Sequence, residues 1–444
     1  MISVSKKTRV RLGLVAVTAA TGLVLAGCAS TGGDTGGDGD NTILVGTTDK
    51  VTTLDPAGSY DNGSLALQTQ VFPYLVNTDY NSTDVVPDLA ETAEFTSPSE
   101  YTVTLPEGLK WANGNVLDSS DVKFSFDRNI AIADPNGASS LLYNLDSVEA
   151  VDDTTVVFHL KTENDQIFPQ ILTSFPGAIV DEESFSADAI TPDNDIVAAN
   201  AFGGPYVISS YDFNKTVEFE PNPNYQGLLD AAVNDSVILT VYADSSNLKL
   251  AVQEGEVDVA YRSLAPTDVA DLRDNGDVKV VDGPGGELRY VVFNFDTMPY
   301  GATTAEADAA KAQAVRQAFA SLVDRQAIAT QVYKDTYTPA YSFVPDGFAG
   351  ATTVLKDLYG DGNGGPDADK AKAILDAAGV TTPVALSLQY NSDDHYGPSS
   401  GDEYAMVKQQ LEADGLFAVD LQSTEWVQYS KDRVADVYPA YQLG

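Results

Sequence analysis

Cys28 is the only cysteine in 444 residues, and its position removes disulfides from the forces that can hold this chain together. It closes the segment Leu25-Ala26-Gly27-Cys28, behind Lys6, Lys7, Arg9 and Arg11 and an apolar run from Leu12 to Leu25. A positive start, a short apolar stretch and small residues before a break point together make a secretory signal. The run is too short for a comfortable membrane-spanning helix. A lone thiol has no partner, so whatever folds downstream is held by packing alone.

The spacing at Cys28 resembles the bacterial lipobox, in which the cysteine sulfur takes a diacylglycerol and becomes the mature N-terminus. That resemblance implies a protein outside the cytoplasm, tied to the cell membrane by acyl chains on Cys28. The next residues, Ala29 to Asn41, are Gly, Ser, Thr, Asp, Ala and Asn. Such sequence buries no core and behaves as flexible coil, which suits a tether. A folded body is expected from Thr42-Ile43-Leu44-Val45-Gly46, a strand-like run.

The length predicts two or more lobes, and 43% hydrophobic residues are enough to build them. Removing residues 1–27, which carry four basic residues and no acid, takes the formal charge from −40 to −44. This excludes a general nucleic-acid binder, because phosphate affinity comes from Lys and Arg. It also argues against a basic membrane-surface patch. The acids are spread along the chain and read as a solvated, self-repelling surface.

Residues 41 to about 283 are rich in short strands and turns. Tyr101 to Leu105, Thr154 to Leu160 and Thr216 to Glu220 alternate as half-buried strands do. Ser119 to Ile130 reads as a helix, with Asp121 as its cap. Beyond about Glu287 the character changes. Lys311 to Tyr333 is helical in spacing, with Asp324 starting a second helix and Arg325 exposed. Asp367 to Ala378 is a helix closed by Gly379. Val384 to Tyr390 is a strand, Glu403 to Ala413 a helix and Leu416 to Gln422 a strand, the alternation of an α/β lobe. The final residues, Val437 to Gly444, read as part of an element, and from this the sequence is expected to be truncated.

The stretch YTVTLPEGLKWANGNVLDSSDVKFSFDR, Tyr101 to Arg128, resembles the signature of the family 5 extracellular solute-binding proteins, the dipeptide-, oligopeptide- and nickel-binding receptors of ABC importers. The resemblance continues at Leu54-Asp55-Pro56, Gly203-Gly204-Pro205-Tyr206, Asn222-Pro223-Asn224-Tyr225 and Gly255 to Val259. It runs on through Val315-Arg316-Gln317-Ala318, Asp324 to Ala327, Ala373 to Gly379 and Glu425-Trp426. It implies a two-lobed, periplasmic-binding-protein-like α/β fold of the large peptide-binding type (class II), with a hinge cleft. The expected organisation is a signal at 1–27, a tether at 28–41, lobe one at 42–283 and lobe two at 284–444, the return of the chain to lobe one being absent. The expected function is capture of a solute, peptides first, for delivery to permease subunits served by a separate ATPase. No cofactor, metal or second copy is called for. The resemblance places Tyr143, Tyr242, Asn294, Trp426 and Arg433 at the cleft, while an acidic anchor for a peptide α-amino group falls beyond residue 444.

Most motif residues also have structural roles that explain them fully. Gly114 supplies a turn with positive φ, and Trp111 is read as a core anchor. Asp258 orients backbone at a strand rim. Among other classes, a nickel, metal-chelate or oligosaccharide receptor stays open. A serine hydrolase is a remote reading on Gly397-Pro398-Ser399-Ser400-Gly401, a G-x-S-x-G match. Both histidines, His159 and His395, precede Ser399, against the order that such enzymes use. The loop at Asp361 to Asp369 has Pro366 and Lys372 where a calcium loop needs glycine and glutamate, so an acidic turn is expected.

Overall fold

The predicted strand at Thr42 is present as β1 (Thr42–Thr47) and lies inside a five-stranded sheet. A computed structural model describes residues 41–444 apart from 79–81, 263, 277, 284, 349 and 393–394. Cys28 and the tether up to residue 40 lie outside the described residues. After β1 come α1 (Asn62–Val71), β2 (Val76–Thr78), β3 (Val85–Pro87), β4 (Thr92–Ser97), β5 (Glu100–Thr104), α2 (Ser119–Ile132), β6 (Leu145–Asp152), β7 (Thr155–Leu160), α3 (Phe168–Ile171) and α4 (Asp193–Ala199). Then follow β8 (Tyr206–Asp212), β9 (Thr216–Pro221), β10 (Ser236–Val241), α5 (Ser245–Glu254), β11 (Val259–Ala260) and α6 (Pro266–Asn275).

These strands form a five-stranded sheet ordered β11-β1-β10-β9-β8, a four-stranded sheet β4-β5-β7-β6 and the pair β2-β3. The alternation that predicted β5 and β7 arises because Tyr101 and Val103 face Val156 and Phe158 across the antiparallel ladder and all four are buried. Helix α2 lays Val122 and Phe126 on that sheet, and the Phe126 ring meets Phe158 edge-on at 4.9 Å. Fully burying one such side chain stabilises the fold by roughly 1.5–3 kcal/mol. Trp111 belongs to the same core and is fully buried. The rim role read for Asp258 is present: its Oδ2 accepts from the Leu44 amide at 2.8 Å and its own amide donates back to the Leu44 carbonyl at 2.8 Å.

Two local readings need correction. Asp121 does not cap α2. Asp118 is the N-cap, accepting from the Ser120 amide at 2.8 Å, and Asp121 sits in the first turn and accepts from the Asp118 amide at 3.0 Å. This reciprocal pair is a capping box. Arg325 is half-buried, not exposed, because its guanidinium lies over the Tyr341 ring at 5.4 Å.

The second group of elements is β12 (Tyr290–Phe293), α7 (Ala309–Leu322), α8 (Arg325–Gln331), α9 (Val354–Leu358), α10 (Ala368–Ala377), β13 (Val384–Asn391), α11 (Ser400–Glu412), β14 (Phe417–Thr424), α12 (Trp426–Val434) and β15 (Ala440–Leu443). Its sheet is ordered β12-β15-β13-β14. Helices α7, α10 and α11 supply Val315, Leu375 and Leu411 to a separate core under that sheet. Among the described residues, no strand before residue 261 shares a sheet with one after residue 289. That division is what a two-lobed α/β fold requires.

Candidate functional site

Strands β13 and β14 pair in parallel, in register from Val384↔Phe417 to Asn391↔Thr424, so both stop at one level. In open parallel sheets, ligands bind in the crevice outside the carboxyl ends of the strands. Here that edge is occupied by aromatic rings. His395 and Tyr396 follow β13, and Trp426 opens α12 directly after β14. The imidazole of His395 stacks on the Trp426 indole with centroids 3.5 Å apart and planes 10° from parallel. Tyr396 meets the same indole edge-on at 5.6 Å, and Tyr429, one turn along α12, stacks at 5.9 Å. Tyr438 packs on Tyr429 at 5.3 Å and on Tyr441 at 6.3 Å.

Arg433 stands two turns along α12 from Trp426, on the same side of the helix. Its guanidinium carbon lies 5.9 Å from the indole centroid. Among the described residues no carboxylate lies within 4.0 Å of Arg433. Its neighbours are phenols. Burial raises the Tyr396, Tyr429 and Tyr441 hydroxyls, and the Arg433 charge works against that rise in each. A half-buried cation ringed by rings and lacking a carboxylate can take an anionic group.

The residues expected at the cleft do not all meet here. Trp426 and Arg433 touch. Asn294 is adjoining, since its amide nitrogen donates to Asp436 at 2.9 Å and its backbone N–H to the Pro439 carbonyl at 3.0 Å. The Asn294 side-chain oxygen accepts from the amide of Asp296 at 2.9 Å, so this side chain is engaged in its own turn. Tyr143 lies elsewhere, exposed after a short 3-10 turn, with its carbonyl accepting from Lys161 at 3.0 Å. Tyr242 follows β10, and its amide donates to Thr47 at 2.7 Å. Burial raises its hydroxyl, helped by the charge of Glu256. Neither tyrosine touches the Trp426 cluster among the described contacts.

Sequence reasoning missed His395, Tyr396 and Tyr429 as partners of Trp426. The i, i+3 spacing of Trp426 and Tyr429 on one helix was a usable signal. It also missed Arg289 and Glu403, a largely but not fully buried pair with Nη2 and Oε2 in contact. Burial is the largest single influence on the Arg289 pKa and lowers it, but Glu403, Tyr333 and Tyr337 together outweigh it, so the net shift is upward.

The G-x-S-x-G match is not an elbow. The sharp strand-to-helix turn of that motif is absent, because residues 392–399 separate β13 from α11. Ser400, rather than Ser399, is buried, and its hydroxyl accepts from Arg289 and Gln442, each at 3.0 Å. The Asp361 loop folds on itself: its carboxylate accepts from the amides of Asn363 at 2.7 Å and Gly365 at 3.0 Å. Those donors hold the Asp361 pKa down, with Asn363 the larger influence. Asp121, Asp181 and Glu183 bring carboxylate oxygens within 4.8 Å of one another. Asp181 already accepts from Asn113 at 2.8 Å, Asn115 at 3.0 Å and Ser184 at 2.7 Å, so these acids serve as backbone and side-chain acceptors. A shallow 370 Å³ groove between α11 and β14, lined by Ala405, Lys408 and Leu421, is open surface and lies away from the rings.

The fold is that of an α/β protein with an aromatic cluster at the carboxyl edge of a parallel strand pair. The chain belongs to the bacterial extracellular solute-binding proteins, family 5, whose middle-region model matches residues 84–444. The dipeptide-binding protein of Escherichia coli K12 is 25% identical over 398 residues, covering 84% of this chain and 69% of the relative. DppE of Bacillus subtilis 168, also a dipeptide-binding protein, is 24% identical over 423 residues, covering 89% and 73%. Among solved structures, NikA from Brucella suis in complex with Fe(III)-EDTA aligns with a TM-score of 0.73 at 21% identity, over 91% of this chain and 79% of that one. DppA from Helicobacter pylori in complex with the peptide STSA aligns at 0.69 and 18% identity, over 90% and 77%. At these identities the structural likeness speaks for the fold.

Proposed function

We propose that this protein captures peptides outside the cytoplasm and delivers them to the permease of an ABC importer, working as a lipid-anchored monomer. Arg433 carries the reading. It is a half-buried cation beside Trp426 with no described carboxylate partner, fitted to the terminal carboxylate of a peptide whose side chain packs on the rings. The dipeptide-binding relatives support the same class of solute. Tyr143 and Tyr242 are proposed as contacts from lobe one, and Asn294 as a second-lobe residue at the margin of the site. The lobes are taken as 42–283 and 284–444, closing on ligand about the segment between them. Cys28 carries the acyl anchor, and residues 29–41 hold the body off the lipid. The protein is read as a receptor with no turnover of its own.

Mass spectrometry of small molecules released from the purified protein tests this directly. Peptides bound in stoichiometric amount are the expected outcome. Release of a metal chelate or an oligosaccharide instead would overturn the peptide assignment. Hydrolysis of peptides or esters that Ser399→Ala abolishes would overturn the receptor reading.

A further inference from the structure

Arg289 enters the structure just before β12, and its side chain is 6% exposed, with that of Glu403 at 14%. Its Nε donates to Glu403 Oε2 at 3.0 Å, and Nη2 donates to the same oxygen and to Ser400 Oγ at 3.0 Å. Its Nη1 donates to the backbone carbonyl of Tyr396. The guanidinium also lies over the Tyr333 ring at 5.5 Å, and the Tyr333 hydroxyl donates to Glu403 at 2.7 Å. One fork therefore joins the first turn of α11 to the loop that carries the rings.

The other end of that loop is held too. The His395 amide donates to Asn391 Oδ1 at 3.0 Å, and the Asn391 amide donates to Gln442 Oε1 at 3.0 Å. Gln442 Nε2 donates to Ser400 Oγ at 3.0 Å, which closes the circuit back to Arg289. Asn391, Ser400 and Gln442 are all buried.

Stability does not explain this arrangement. A buried ion pair is often no more stabilising than apolar side chains of the same volume. What the circuit fixes is the position of two rings. The carbonyl held by Arg289 belongs to Tyr396, whose ring is edge-on to Trp426 at 5.6 Å, and the amide held by Asn391 belongs to His395, whose ring is stacked on it at 3.5 Å. Lysine cannot replace the fork, because a single ammonium on a flexible stem does not hold three acceptors, Glu403 Oε2, Ser400 Oγ and the Tyr396 carbonyl, in fixed directions.

We infer that Arg289 is a positioning residue for the solute site: through the Tyr396 carbonyl and the Glu403–Ser400 turn it sets the ring platform around Trp426, without touching solute. The inference rests on the reading of that cluster as the binding site. Arg289→Lys and, as a second variant, Glu403→Gln test it in the full chain. The first readout needs no ligand. Trp426 emission is obtained as the difference between each protein and its Trp426→Phe counterpart, Trp111 being the other tryptophan. The second is affinity for the dipeptide alanyl-phenylalanine. Arg289→Lys is expected to shift Trp426 emission to the red and to weaken alanyl-phenylalanine about tenfold, as a loosened supporting shell does; Glu403→Gln should do so to a smaller degree.

A fall in melting temperature with Trp426 emission and affinity unchanged would make Arg289 a structural brace and overturn the inference. If Arg289→Lys does not fold, Glu403→Gln decides by the same two readouts. A parent protein that binds no alanyl-phenylalanine, or binds it equally well as Trp426→Phe, counts against the site reading instead. The emission shift then still reports whether Arg289 sets the rings.

Discussion

The carboxylate of Asp55 receives both terminal nitrogens of Arg128 in a bidentate pair, with Nη1 to Oδ1 at 2.8 Å, and both side chains are almost wholly buried. Asp55 also accepts from the amides of Ala57 at 3.0 Å and Thr191 at 2.7 Å, while Arg128 donates to the carbonyls of Ser186 and Ala189. The pair ties the end of α2 to the turn after β1 and to the loop at 186–191. Removing one partner leaves a buried charge alone, which costs roughly 3–5 kcal/mol. Arg128→Met should therefore lower the urea midpoint strongly, and the double variant Asp55→Leu/Arg128→Met should recover part of the loss. A single variant within about 1 kcal/mol of the parent would mean that the pair adds nothing beyond the surface value.

That pair also marks how far the sequence could be read. Strands such as β5 were legible because Tyr101 and Val103 alternate with polar residues, and alternation is a local property. Helices α8 and α10 were legible because Asp324 and Asp367 cap them within three residues of their donors, Ala327 and Lys370, each at 2.9 Å. Asp55 and Arg128 each sat in a recognised motif, but no period links charges so far apart in sequence. The site divides in the same way. Trp426 and Arg433 were placed together only through the family resemblance, whereas the stack of His395 on Trp426 depends on two strand ends meeting, which only the sheet order reveals. Arg289 carried no signal at all, since an arginine ahead of a strand reads as solvent-exposed.

Burial pushes the Asp121 carboxyl from its ordinary 3.8 up to about 7, against the opposing pull of the Glu182 and Asp118 amides. A raised folded-state pKa means that the native state keeps the proton longer than the unfolded chain does. Its stabilising contribution is full below about 4 and is lost as pH rises through about 7. Glu183 is raised in the same sense, chiefly by its hydrogen bond to Asp181. The test compares the parent with Asp121→Asn, which keeps Asp181 and Glu183. Urea midpoints between pH 4 and 8 should fall with rising pH more steeply in the parent than in the variant. Parallel curves would show that Asp121 does not titrate in this window.

The anchor is tested at Cys28. Two acyl chains give stable membrane attachment where one does not, and the thiol is the sole acceptor that the sequence offers. Cys28→Ser should move the protein from the membrane fraction to the soluble extracytoplasmic fraction or leave it as an unprocessed precursor. Normal processing together with continued membrane retention would rule out lipidation at this residue.

Arg433 separates a carboxylate-reading site from a merely aromatic one. A hydrogen bond to a charged group contributes about 1.5–3 kcal/mol, and the neighbouring phenols and indole limit how far water replaces a lost partner. Arg433→Met keeps an unbranched apolar stem and removes the guanidinium with its charge. It should weaken alanyl-phenylalanine by roughly 10- to 100-fold, which is what such a hydrogen bond is worth. Alanyl-phenylalanine amide, lacking the carboxylate, should bind the parent weakly and lose little further on substitution. The coupling in this cycle of two proteins and two ligands is the quantity to measure by calorimetry. If acid and amide lose affinity equally, the variant has damaged the ring platform through the Trp426 contact at 5.9 Å, and Arg433 does not read the carboxylate. If neither ligand is affected, the solute is not held at this cluster.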